Sequence, residues 1–215
     1  MSLSIKKLAH AGFKIKADGK VLYVDLEEHC KPTEKADIIL STHSHFDHCD
    51  SEKINKVRAD ETVVIAPKDC RSKIGGAVIS LSPGEKKTLE NITVEATEAY
   101  NYKRFRSPGN LYHPKGLGVG YLITVGGKTI YHAGDTDFIP EMKNLEGIEV
   151  ALLPTGDTYT MDNEEAADAA VAINPTIAIP MHTWDKDTTP FKKKTEANSS
   201  TKVVILEDGE EYAVE

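Results

Sequence analysis

Cysteines are few, long apolar runs are missing and positive charge is in deficit, and each scarcity excludes a class of protein. Cys30, Cys49 and Cys70 are the only thiols. An odd number without C-x-x-C spacing supports neither a disulfide framework nor a thiolate zinc site, so reduced thiols are expected. No apolar stretch approaches the roughly 18–20 residues that span a bilayer, and Lys6 and Lys7 interrupt the N-terminus where a secretory segment would be apolar. A cytoplasmic protein without a membrane partner is expected. Lys and Arg total 26 against 34 Asp and Glu, and the formal net charge of −8 disfavours nucleic acid as a partner. One basic patch stands out: Lys103, Arg104 and Arg106, with His113 and Lys115 nearby.

The 215 residues, 40% hydrophobic and 28% charged, are enough for one globular domain over 1–215 with a real core. Oligomeric state is left open, a homo-oligomer being compatible. Strands are expected at Leu3 to Leu8, Phe13 to Ile15, Val21 to Asp25 and Ile38 to Ser41, with Asp18-Gly19 as a hairpin turn. Ser51 is expected to cap a helix through Val57, followed by a strand Val63 to Ala66 and a helical turn from Pro67. Later strands are expected at Ala77 to Leu81, Ile92 to Ala96, Gly118 to Val125, Thr129 to His132, Val150 to Leu153, Thr176 to Pro180 and Val203 to Leu206. Gly126-Gly127 makes a hairpin, and an Ala-rich helix Asn163 to Ile173 follows Asp162. Tyr100 to Gly116 reads as a long polar loop of the functional kind. The mixed order suggests an α+β protein of two packed sheets with helices outside.

Three of the eight histidines fall within six residues, in His43-Ser44-His45-Phe46-Asp47-His48, directly after the apolar strand Ile38-Ile39-Leu40. In an extended segment His43 and His45 project from one side and can reach one ion; a turn after His45 carries Asp47 and His48 to an adjacent one. Zinc takes imidazole and carboxylate ligands and keeps a position for water in catalytic sites, so further ligands are required. His113, Asp135 and His182 are the candidates, all at strand ends or in loops. A lone histidine such as His113 or His182 is more often a surface or core residue; four ligands at one strand end change that balance. Asp135 is expected to bridge two ions with separate oxygens, which would hold the ions about 3.5 to 4 Å apart.

These residues resemble the metallo-β-lactamase superfamily, whose H-x-H-x-D-H motif is matched at His43, His45, Asp47 and His48, with later positions matched by His113, Asp135 and His182. The resemblance implies a four-layer αββα sandwich with metals at the edge between the sheets. It also implies one ion held by His43, His45 and His113, a second by Asp47, His48 and His182, and Asp135 between them. Ile130-Tyr131-His132-Ala133-Gly134-Asp135-Thr136, Gly156 to Met161 and Ile179-Pro180-Met181-His182 look like the ascorbate-phosphate lactonase-like subgroup of small zinc hydrolases. By the same likeness Asp25 orients the ligand segment, while His10 and His132 serve positioning or proton transfer. Asp25 also reads as an ordinary turn aspartate, and His29 as a surface residue.

A hydrolase is therefore expected, using two divalent ions, zinc by preference with Mn2+ or Fe as alternatives. A water between the ions has its pKa drawn from 15.7 to about 7, making hydroxide the nucleophile. Asp47, Asp135 and His132 are the candidate catalytic residues, and Arg104 and Arg106 the candidate grip on a small anionic ester, lactone or phosphodiester. An iron-dependent redox or dioxygenase member of the same fold competes, as does a nuclease. The flavodiiron pattern puts Glu where His45 stands, whereas sulfur dioxygenases retain the motif, and acidity weakens the nuclease reading.

Overall fold

A computed structural model describes residues 3–215, which form two compact units: the residues up to Ser82 with Leu206–Glu215, and Pro83–Ile205. In the first unit β1 (Leu3–Ala9), β2 (Gly12–Ala17) and β3 (Lys20–Val24) make an antiparallel meander, which β4 (Ile38–Leu40) and β5 (Val63–Ile65) extend in parallel. β1 alternates buried and half-buried residues, as an antiparallel strand with one face on the core does, whereas central β4 is apolar and buried throughout. α1 (Ser51–Val57) sets Ile54 and Val57 into a core with Leu26, Ile39 and Val64. Its cap is Asp50, whose carboxylate accepts from Lys53 N at 2.9 Å. Ser51, expected in that role, is the first helical residue, because Asp50 already holds the extended backbone a cap needs. After Pro67 come a 3-10 turn (Lys68–Cys70) and α2 (Arg71–Ile74). The strand expected over Ala77 to Leu81 reduces to one bridge, Ile79 to Ile65, since β5 offers only three residues of edge.

The second unit contains β6 (Lys86–Leu89), β7 (Ile92–Ala99), β8 (Phe105–Ser107), β9 (Asn110–Leu111), β10 (Gly118–Val125), β11 (Lys128–His132), β12 (Ile148–Pro154), β13 (Ile177–Met181) and β14 (Lys202–Val203). Its main sheet runs β14-β13-β12-β11-β10-β7-β6, parallel from β14 to β11 and antiparallel from β11 to β6. Gly126 and Gly127, at φ 55° and 80°, turn β10 into β11. β8 and β9 make a small hairpin inside the segment expected to be an irregular loop. Asp162 caps α3 (Asn163–Ile173) by accepting from Glu165 N. α4 (Thr189–Asn198) escapes sequence reading because it is polar and buries only Phe191 and Thr195, so it carries no apolar period. The strand expected to run on to Leu206 stops at Val203, and the chain ends in β15 (Glu211–Val214), which pairs with β1 and completes the first sheet as β15-β1-β2-β3-β4-β5.

Register decides where chemistry can gather. Val24 pairs with Leu40 across β3 and β4, so Asp25 and the segment from Ser41 emerge together from the carboxyl ends of parallel strands. In the second unit His132, Leu152 and Ile179 align across β11, β12 and β13, so Asp135, Gly156 and His182 likewise follow carboxyl ends. Such ends, where loops leave a parallel sheet, are the usual place for ligands.

The three thiols are free and buried. Burial pushes the Cys30 thiol up from 9.0 to about 12. Above pH 9 the unfolded chain releases this proton while the folded protein keeps it, so stability falls as pH rises from 9 towards 12, by about 1.4 kcal/mol per unit. Urea titrations between pH 8 and 11 are expected to show this slope in the native chain and a shallower one in Cys30→Ala.

Candidate metal centre

In the first unit the organiser is Asp25, fully buried and in the left-handed region at φ 51°. Its Oδ1 accepts from Thr42 N at 2.7 Å; its Oδ2 accepts from Thr42 Oγ1 at 2.7 Å and from His48 Nδ1 at 2.8 Å. A hydroxyl has one proton and a carboxylate only accepts. Thr42 Oγ1, having given its proton to Asp25, therefore accepts from His43 Nδ1, 3.0 Å away. Both His43 and His48 thus carry hydrogen on Nδ1, which leaves the Nε2 lone pairs as the ligating electrons.

His43 Nε2 lies 3.0 Å from His45 Nδ1. Two ligand atoms each about 2.0–2.1 Å from a tetrahedral zinc are roughly 3.3 Å apart, so this pair has nearly the spacing one ion requires. His48 N and Cys49 N both donate to His45 O, making the tight turn expected after His45, and the turn brings the His48 ring to 4.1 Å from that of His43. Ser44 N donates to Asp69 Oδ2 at 3.0 Å, which braces the loop from outside. Asp47 Oδ2 lies 3.6 Å from His10 Nε2 and 3.7 Å from His48 Nε2. His10 therefore joins the motif residues rather than merely packing near them. Gly12, two residues on, admits Asp25: a Cβ there would stand 2.8 Å from Asp25 O and 2.6 Å from Cys30 Sγ. His29 is exposed, as expected.

In the second unit one carboxylate oxygen, Asp135 Oδ2, lies 3.3 Å from His113 Nε2 and 3.0 Å from His182 Nε2, all three residues being buried. The same carboxylate oxygen thus lies near both histidine Nε2 atoms. Asn101 Oδ1 accepts from His113 N at 3.0 Å and from His113 Nδ1 at 2.9 Å. Asn101 Nδ2 donates to Asp137 Oδ1 and Tyr159 O, which fixes its amide and places the His113 hydrogen on Nδ1. His132 is buried in β11 and accepts from Gly134 N at Nδ1, holding the turn that delivers Asp135.

Arg104, expected to grip a substrate anion, is instead engaged internally. Its Nη1 meets Asp137 Oδ1 at 2.6 Å and Glu165 Oε2 at 2.8 Å, and its Nε donates to Asp157 O at 2.6 Å. Burial opposes the charge, but Asp137 and Glu165 outweigh it and hold the guanidinium above its ordinary pKa. Arg104 thus terminates a chain running through Asp137 and Asn101 to His113. Sequence spacing gave no hint of Asn101 or Asp137 in this role, because an amide and a carboxylate that act through side chains carry no motif of their own. Arg106 differs: it is exposed, with its guanidinium carbon 5.7 Å from the Tyr112 ring centre. No helix among the described residues is long and apolar enough to cross a membrane.

Buried imidazoles with preset tautomers beside carboxylates are a donor set suited to borderline divalent cations. The same residues fall in a stretch, 4–182, that matches the β-lactamase superfamily domain. A UPF0173 metal-dependent hydrolase of Pelotomaculum thermopropionicum is 30% identical, with 97% of this chain and 98% of that protein covered. A solved protein of Parabacteroides distasonis is 35% identical with a TM-score of 0.88, covering 94% of this chain and 92% of its own. A metallo hydrolase of the archaeon Ignicoccus hospitalis is 26% identical with a TM-score of 0.82, covering 100% and 99%. With that likeness over nearly its whole length, the chain belongs to the metallo-β-lactamase superfamily, whose fold it has, and within it to the UPF0173 metal-dependent hydrolases.

Proposed function

We propose that the chain is a metal-dependent hydrolase acting on a small ester, lactone or phosphodiester with an anionic group, and that it takes two divalent cations, zinc by preference. In this reading the residues that would hold the cations are His43, His45, Asp47 and His48 of the first unit and His113, Asp135 and His182 of the second. The observation that carries it is the single oxygen of buried Asp135 within 3.3 Å of His113 Nε2 and 3.0 Å of His182 Nε2, a buried donor set that a divalent cation would fit. Bound cations supply Lewis acidity, which makes water acidic enough to be a nucleophile near neutral pH and polarises the bond to be broken.

The chain's own residues prepare for this. Asp25, through Thr42 for His43 and directly for His48, holds two protons on Nδ1, and Asn101 does the same for His113. His132 fixes the Asp135 turn, and Arg106 is left to meet a substrate anion.

Reconstitution with Zn2+, metal analysis and a screen of lactones, phosphodiesters and thioesters test the reading. Two ions per chain and zinc-dependent turnover are expected, with His113→Ala and Asp135→Ala each losing at least one ion and most activity. Two ions and full activity in those variants would overturn the ligand set. One redox-active iron per chain with no hydrolysis would overturn the activity.

A further inference from the structure

Beside the Asp135 group the second unit carries a row of rings that the ligand set does not use. The Trp184 ring stands edge-on to His182, 5.6 Å between centres at 85°. Tyr159 follows at 5.8 Å from Trp184, and Tyr112 at 4.8 Å from Tyr159, edge-on at 84°. The exposed Arg106 guanidinium over Tyr112 ends the row. Both ends are tied to candidate ligands: Trp184 lies two residues after His182, and Tyr112 immediately precedes His113.

Folding by itself would not build this. Trp184 is 46% exposed although it is the largest side chain in the protein and its only tryptophan. Its segment is held in a conformation that costs L-residues energy, with His182, Trp184 and Asp185 at φ 52°, 50° and 58°. Gly156 makes room for that segment: a Cβ there would collide with the His182 carbonyl and stand 2.8 Å from Trp184 Cδ1. A strained backbone that displays a large aromatic beside a buried polar group is what a binding surface, rather than a core, requires.

We propose that Trp184, Tyr159 and Tyr112 form one wall of a substrate subsite that takes a flat aromatic or conjugated ring bearing an anionic substituent, with Arg106 as the partner of that anion. Rings present π-faces and edges that match a planar group better than a puckered one, and a guanidinium held over Tyr112, its carbon 5.7 Å from the ring centre, is placed to meet a carboxylate or phosphate. This deepens the hydrolase reading and rests on it for the identity of the reacting site, but the wall binds independently of turnover.

The lone tryptophan provides the probe. Benzoate and phenyl phosphate, titrated into metal-loaded and metal-free protein, are expected to quench Trp184 fluorescence saturably, and cyclohexanecarboxylate to do so about tenfold more weakly. Arg106→Gln is expected to weaken the anionic aryl ligands about tenfold and to leave neutral benzyl alcohol unaffected. Calorimetry on Trp184→Phe, which keeps a ring and guards against a folding failure in Trp184→Ala, is expected to retain most of the aryl preference that Trp184→Ala loses. In matched phenyl and cyclohexyl esters the kcat/KM ratio should fall by about tenfold in Trp184→Ala. Equal affinity for phenyl and cyclohexyl ligands, or an unchanged ratio in Trp184→Ala, would overturn the wall while leaving hydrolysis standing. Saturable, ring-selective quenching in a protein that hydrolyses no substrate would uphold the wall and sink the hydrolase.

Discussion

Asp25→Ala protein is expected to bind Zn2+ about 10- to 100-fold more weakly than the native chain and to lose stability even without metal. Three donors meet that carboxylate in a fully buried place: Thr42 N, Thr42 Oγ1 and His48 Nδ1. Each buried donor left without an acceptor costs about 1–3 kcal/mol, so the loss in urea denaturation should reach several kcal/mol. Metal affinity falls for a separate reason, because neither His43 nor His48 is then compelled to keep its hydrogen on Nδ1. Asp25→Asn separates the two effects. An amide nearly fills the same space but offers a donor where Thr42 Oγ1 and His48 Nδ1 require an acceptor, so a smaller stability loss and an equal or larger loss of zinc affinity are expected. Chelator competition reads the affinity and ring-nitrogen NMR the tautomer. Native affinity in both variants would remove Asp25 from the site.

The second large effect is expected at Arg104. Its side chain is 10% exposed and sits between Asp137 and Glu165, themselves buried. Truncation takes an opposite charge from two buried carboxylates that keep only amide donors and, for Glu165, the Lys103 ammonium, which costs about 1–3 kcal/mol, so Arg104→Ala should fall short of native stability in urea. Arg104→Lys is expected to recover little. A single ammonium cannot place one donor on Asp137 and Glu165 and another on the Asp157 carbonyl, as the planar guanidinium does. The loss should pass along Asp137 and Asn101 to His113 and appear as weakened metal binding. Arg106→Ala, on an exposed side chain, is expected to change stability by no more than about 0.5 kcal/mol. Equal stability in the two alanine variants would show that the internal ion group contributes nothing.

Between Arg104 and Arg106 lies the difference between what a sequence reveals and what it hides. Both are cations two residues apart in a polar segment beside a candidate ligand, and pattern alone assigned them the same task. Only the fold supplies Asp137, from the loop after β11, and Glu165, from the first turn of α3, as partners to one and an aromatic face to the other. Helices and strands followed the same division. α3 was legible because Asp162 and an alanine-rich apolar run are local signals, and so was the Gly126-Gly127 hairpin. α4 and β15 were not, since a polar helix and a short edge strand are stabilised by what they dock against, here α3 in one case and β1 in the other.

By itself the sequence determined the chemistry available: a dense His43-to-His48 motif, the remaining ligand types and an acidic balance set by composition. Ligand identity is a property of side chains, and a motif packs four of them into six positions where spacing can be read. Tertiary structure decided which electrons those ligands present. The Nδ1 protons of His43, His48 and His113 are held by Asp25, Thr42 and Asn101. All three holders lie outside the motif, Thr42 just before it and Asp25 and Asn101 far along the chain, because a proton's position on an imidazole depends on the nearest acceptor in space, which the fold rather than sequence order provides.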